Sequence, residues 1–143
     1  MTDMTTWKHK DEWHRRENAF LVVVKRHSVE PSSYAPYDGP HRWSVYAYLY
    51  PTHRLFKDFD GTNMWQPAAI ALPLHGGPSL LRWHTGDDGK PCSVQIGADY
   101  HHLHDEHFSS YAIPSEAWEV FRDANRLFDH LAAEVAALAV CDA

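Results

Sequence analysis

Residues 43–50 read Trp43-Ser44-Val45-Tyr46-Ala47-Tyr48-Leu49-Tyr50, with Trp43, Val45, Ala47 and Leu49 alternating against Ser44 and three tyrosines. A period of two is the side-chain period of a β-strand, so this stretch predicts one apolar and one polar-aromatic sheet face. Tyrosines pack through their rings while keeping a hydroxyl for hydrogen bonding, so the second face is expected to lie beneath a helix or beside a partly wet cleft. Upstream, Ala19 to Lys25 is rich in β-branched residues and predicts a buried strand. Downstream, Leu80–His84 and Cys92–Gly97 flank Thr85-Gly86-Asp87-Asp88-Gly89-Lys90, whose Asp-Gly suits the positive φ of a hairpin loop. A β-hairpin over about 80–97 follows, and Asp87 and Asp88 are read as turn formers rather than site residues.

A sheet with one apolar face needs a cover. The C-terminal pattern supplies it: Trp118, Phe121, Ala124 or Asn125, Phe128, Leu131, Val135 and Leu138 recur at three or four residues, with Ser115 as N-cap after Pro114. This spacing predicts a long amphipathic helix over about 115–138. The fold class is therefore α+β, a small and mainly antiparallel sheet under a C-terminal helix. Strand alternation and helix period assign Phe20, Val22, Val24, Val45, Ala47, Val94, Ile96, Phe121, Phe128 and Leu131 to the core.

The 143 residues hold no internal repeat and no linker, so residues 1–143 are expected to form a single α+β domain. Residues 1–18 are polar with Trp7 and Trp13 six apart and are read as a helical N-terminal segment. Pro31, Pro36, Gly39 and Pro40 break up Ser28–Arg42 into an expected surface loop. A domain of this length needs no metal or disulfide merely to fold, so a bound metal would be functional.

Thirteen Lys and Arg against nineteen Asp and Glu give a net charge of −6, which repels phosphate backbones and makes nucleic acid an unlikely partner. No apolar run approaches a membrane span, and Lys8, Lys10 and Asp11 stand where a signal peptide would turn apolar, so a cytoplasmic location is expected. Two cysteines, Cys92 and Cys141, make no disulfide framework and suit a reducing compartment.

Chemistry gathers in two short segments. His75 lies in Leu74-His75-Gly76-Gly77-Pro78, and Asp99 to His107 reads Asp-Tyr-His-His-Leu-His-Asp-Glu-His. Imidazole with carboxylate suits either a divalent metal or general acid–base work, although no standard zinc signature is present. In an extended strand Asp99, His101 and Asp105 would share a face. In a turn or 3₁₀ geometry residues three apart stack, which brings Asp99, His102 and Asp105 together. With His75 these offer two imidazoles and two carboxylates, a set for zinc, manganese or iron rather than calcium. Gly76 and Gly77 permit a tight turn and the approach of N–H groups to an anion. A plain turn ended by Pro78 and a solvated histidine loop account for the same residues without chemistry.

The order Trp43…Tyr46-Ala47-Tyr48…Pro51-x-His53, then His75-Gly76-Gly77, then Gly97-x-Asp99-x-x-His102-x-x-Asp105 resembles an uncharacterised family of small phage and mobile-element proteins. That family carries a strand ending in Pro-x-His-Pro, a His-Gly-Gly-Leu-Thr turn and Gly-Phe-Asp-x-x-His-x-Gly-Asp. The resemblance covers about residues 43–105 and implies His53, His75, Asp99, His102 and Asp105 as matched positions, leaving out His101, His104 and His107. Pro78-Ser79, Ala98 and His104 depart from the pattern. The family supplies no activity to transfer.

Two readings follow. In the first, a small hydrolase, His75, Asp99, His102 and Asp105 are catalytic, Gly76 and Gly77 receive negative charge, and a zinc or manganese ion would be held by His53, His75, His102 and Asp105. Its partner is a small-molecule substrate. In the second, a non-enzymatic accessory protein binds a host protein through tyrosines and tryptophans, and the His/Asp cluster is a structural hydrogen-bond network.

Overall fold

The structure is a computed structural model and describes residues 8–9, 11–30, 38–102 and 104–142. Trp7, Pro31, Pro36 and the side chain of Leu138 lie outside the described residues. Among the described residues six strands form one antiparallel sheet: β1 (Lys8–His9), β2 (Glu12–Arg16), β3 (Phe20–Ser28), β4 (His41–Leu49), β5 (Leu80–Thr85) and β6 (Pro91–Asp99), in the order β1-β2-β3-β4-β6-β5. The connection between β4 and β5 holds a 3₁₀ turn at Phe56–Asp58 and the short helix α1 (Pro67–Ile70). A second 3₁₀ turn, Glu106–Ser110, follows β6 and leads to α2 (Trp118–Asp142).

Register explains the core. Val22 pairs with Ala47, Ala47 with Ile96 and Ile96 with Leu81, so one apolar row crosses four strands on a single face. α2 packs on that face against β3 and β4, offering Val120, Phe121, Ala124, Leu127, Phe128 and Leu131, all buried. Every core residue expected from the sequence is buried, and the α+β class with its 80–97 hairpin and helical cover holds.

The helix starts later than its periodicity suggests. Ser115 is not its N-cap; residues 113–117 form a preceding turn in which the Glu116 and Ala117 N–H groups donate to the Ile113 carbonyl, both at 3.1 Å, and the Glu116 carboxylate accepts the Ala112 N–H at 3.0 Å. Trp118 and Val135 leave the apolar stripe: both are exposed, and Trp118 lies under the Arg122 guanidinium instead.

Within the polar N-terminal segment, residues 12–16 are strand rather than helix. Trp13 decides this, because pairing with Val24 stacks it on Trp43 at 5.5 Å and sets it edge-on to Phe121 at 5.4 Å. One buried tryptophan outweighs a weak period among charged neighbours. The loop expected over 28–42 is shorter, since Ser28 and His41 already pair.

The tyrosine face is the one α2 does not cover. Tyr46 and Tyr48 stay half-buried there, Tyr48 beside the His84 ring, which bonds the buried Gln95 at 2.8 Å. Gly97 lies opposite Tyr46, whose ring would stand 2.2 Å from any added Cβ.

Candidate functional site

The end of β6 sets the site. Beyond Asp99, Tyr100 still donates its N–H to Trp43 at 3.0 Å, and the chain then turns. The Asp105 N–H donates to the His102 carbonyl at 3.0 Å, and the His102 N–H returns a bond to Asp105 Oδ2 at 2.9 Å. This reciprocal turn is the spacing-of-three geometry, and it brings His102 Nδ1 to 3.1 Å from Asp105 Oδ2 and His102 Nε2 to 3.5 Å from Asp99 Oδ1. His104 takes a left-handed φ of 73° to close it.

The second part of the site is the turn at His75. Its hydrogen bond runs from the Gly77 N–H to the Leu74 carbonyl at 3.0 Å, and Gly76 and Gly77 have φ of 69° and 85°. A Cβ on Gly76 would come 3.1 Å from His102 Cε1. The absence of that carbon lets the turn lie flat against the His102 ring. Ser79 fixes the turn to β6: its N–H donates to the Gly97 carbonyl at 2.8 Å, and its Oγ accepts the Asp99 N–H at 3.0 Å.

These two turns converge on Asp105, a buried carboxylate. His75 Nε2 lies 3.0 and 2.9 Å from its two oxygens. The His75 ring stacks on Tyr100 at 4.3 Å and 11° and meets Phe108 edge-on at 5.5 Å. Tyr100 is itself held by its hydroxyl, which donates to Asp123 Oδ2 on α2 at 2.6 Å. Burial pushes the Asp105 pKa up, but the His102 N–H, the His75 hydrogen bond and charge, and the His102 ring together outweigh it and leave the carboxyl below its ordinary value. Tyr100 is raised by burial first, then by the Asp123 charge.

Of the residues singled out in the sequence, His75, His102 and Asp105 come together with ligand atoms all within 4.8 Å of one another, and Asp99 joins through His102. His53 does not join them. It is buried in the core, donating from Nε2 to the Leu131 carbonyl at 3.1 Å and accepting the Leu55 N–H on Nδ1 at 3.1 Å, with its ring edge-on to Phe20. With both nitrogens engaged it clips the 53–55 turn to α2 and has no lone pair for a metal. The Gly77 N–H is likewise spent on its turn. His101 bonds Asp38 at 3.2 Å, away from Asp105.

Sequence reading missed the far wall. Beside His75 opens a cleft of ≈ 350 Å³ lined by Leu72, Pro73 and Leu74 on one side and by Arg122, Asp123 and Arg126 of α2 on the other. The signal was present as three charged residues at helical spacing beside the apolar stripe, but only the topology aims that edge of α2 at His75. No family model, curated protein or solved structure matches the chain.

Proposed function

We propose that the chain is a small acid–base enzyme of hydrolytic type with His75 as general base and Asp105 as the carboxylate that orients it. The contact of His75 Nε2 with both Asp105 oxygens carries the reading. An ionised carboxylate only accepts, so Nε2 holds the proton, and in the neutral ring Nδ1 keeps the lone pair. Among the described residues Nδ1 makes no hydrogen bond to protein, and His75 lines the cleft. A water there would give a proton to Nδ1 as its oxygen bonds to the scissile acyl or phosphoryl centre. The imidazolium, stabilised by Asp105, then returns that proton to the departing group. His102 is a positioning residue that holds Asp105 through its N–H and Nδ1, and Asp99 stands behind His102.

A second reading has one observation in its favour. The same three side chains could hold a zinc or manganese ion, since their ligand atoms already cluster. A cation there would take the place of the N–H···O bonds of 2.9 to 3.1 Å that join His75 and His102 to Asp105.

Elemental analysis of chelator-free protein, combined with turnover of p-nitrophenyl esters and phosphates, tests both. Turnover that survives EDTA and falls by about 10² or more in a folded His75→Asn variant supports the dyad. About one metal per chain, lost in a His75→Ala/His102→Ala variant, replaces it with the metal reading. Absence of both metal and turnover, with the variants merely less stable, favours the accessory protein in which the cluster is structural.

A further inference from the structure

The geometry points to an oxyanion subsite on α2: Arg122 and Arg126 hold the carboxylate or phosphate of a small-molecule substrate in the cleft beside His75. This names the substrate class of the proposed hydrolytic site and rests on that reading for its catalytic meaning, though not for binding itself.

Arg122 and Arg126 are four residues apart on one helix, so their side chains leave the same face one turn apart. Both line the cleft together with His75. The cleft's carboxylate, Asp123, is already engaged: Oδ2 accepts the Tyr100 hydroxyl at 2.6 Å, and Oδ1 lies 3.3 Å from Arg122 Nε and Nη2. Arg126 has no ion-pair partner among the described residues. The charged lining is therefore two guanidiniums against one carboxylate, a local positive excess on a chain whose net charge is −6.

Such an excess concentrates anions in a concave site and steers them to it. Guanidinium suits the task because its planar fork bonds two oxygens of a carboxylate or phosphate at once. Across the cleft, Leu72, Pro73 and Leu74 give an apolar wall for the substrate's uncharged part, with Leu72 itself buried. The result is two guanidiniums and an imidazole lining one cleft of ≈ 350 Å³, room for a small-molecule ligand.

The test is an NMR titration of the full ¹⁵N-labelled chain with inorganic phosphate, and separately with acetate, at constant ionic strength. The Nε–H signals of Arg122 and Arg126 are read with the backbone amides of 72–75. The expected result is saturable shifts at these positions, weakened about tenfold or more in Arg126→Gln and in Arg122→Gln, the loss of one charge-assisted pair. Arg126 is exposed, so its substitution leaves the fold intact. Binding retained within about twofold in His75→Asn would separate the subsite from the chemistry: the anchor stands even if that variant shows that His75 catalyses nothing. Shifts that never saturate, or that persist unchanged in Arg126→Gln, overturn the subsite. Saturation by one of the two anions alone supports it and identifies the substrate's charged group.

Discussion

His75 and Asp105, thirty residues apart in sequence, meet with Nε2 centred between the two carboxylate oxygens. Neither residue sits on a strand. Each is placed by a turn anchored on β6, through Ser79 for the first and through the continuation at Tyr100 for the second, so the contact reports on whether the sheet end is intact. Removing the buried carboxylate leaves the donors of half-buried His75 and exposed His102 without their acceptor, a loss that water can replace only in part. Asp105→Ala should cost about 1–3 kcal/mol, measured as a shift in the urea midpoint at neutral pH. The His75 ring should also lose its single Nε2–H tautomer, read by long-range ¹H–¹⁵N correlation. An unchanged tautomer would mean that Asp105 does not orient the ring.

Asp105 also sets an acid limb of stability. Its folded pKa lies below the ordinary value because the hydrogen bonds and the His75 charge outweigh burial. A depressed carboxyl stabilises the fold above its unfolded pKa of about 3.9, and that stability is lost as pH falls through the folded value. Urea midpoints between about pH 6 and pH 2 should therefore decline less in Asp105→Asn than in the wild type. Parallel curves would contradict the shift.

The sheet and its cover were legible because they repeat: the 43–49 alternation and the 121/124/128/131 period each state a buried face several times over. β2 was not, since Trp13 is its one buried residue and a single apolar position has no period. At the site, the spacing of three joined Asp99, His102 and Asp105 correctly once a turn was allowed, while His53 was carried in by a motif and is absorbed by the core. Arg122, Asp123 and Arg126 gain meaning only from where α2 crosses the sheet, which a local pattern does not encode.

His53 titrates in the opposite chemical sense to Asp105 yet weakens the protein in the same direction of pH. Burial lowers its pKa, against the Leu131 carbonyl bond that would raise it. The folded state thus binds the proton less readily than the unfolded chain. Stability is complete above about pH 6.5 and falls as pH drops below that value, until the folded pKa is passed. The difference in unfolding free energy between wild type and His53→Gln should narrow as pH falls from about 7 to about 5. Replacing the ring leaves both the Leu131 carbonyl and the Leu55 N–H in need of partners, so the variant should be about 1–3 kcal/mol less stable at neutral pH.

His104 carries a left-handed backbone that a glycine adopts without a Cβ penalty. Its side chain is exposed, so His104→Gly should stabilise the chain by up to about 1 kcal/mol in thermal unfolding, with the His75 and His102 resonances unmoved. A destabilised variant would show that the imidazole bears on the turn after all.

Gly76 and Gly61 separate backbone strain from site geometry. Both have positive φ, 69° and 65°, so an alanine at either meets the same left-handed penalty of about 1 kcal/mol. Around Gly61 an added Cβ meets nothing within 4 Å, whereas at Gly76 it meets the His102 ring at 3.1 Å. The excess cost of Gly76→Ala over Gly61→Ala therefore measures the contact between the His75 turn and His102. Because that ring can give way by a few tenths of an ångström, the excess in urea unfolding should be modest, below about 1 kcal/mol. Its chemical consequence should be larger than its energy. Displacing His102 withdraws the Nδ1 contact from Asp105, so Gly76→Ala, unlike Gly61→Ala, should shift the His75 and His102 ring resonances and reduce any turnover that depends on His75. If the two alanine variants match in both stability and histidine spectra, Gly76 serves only the turn, and the close packing against His102 has no part in the site.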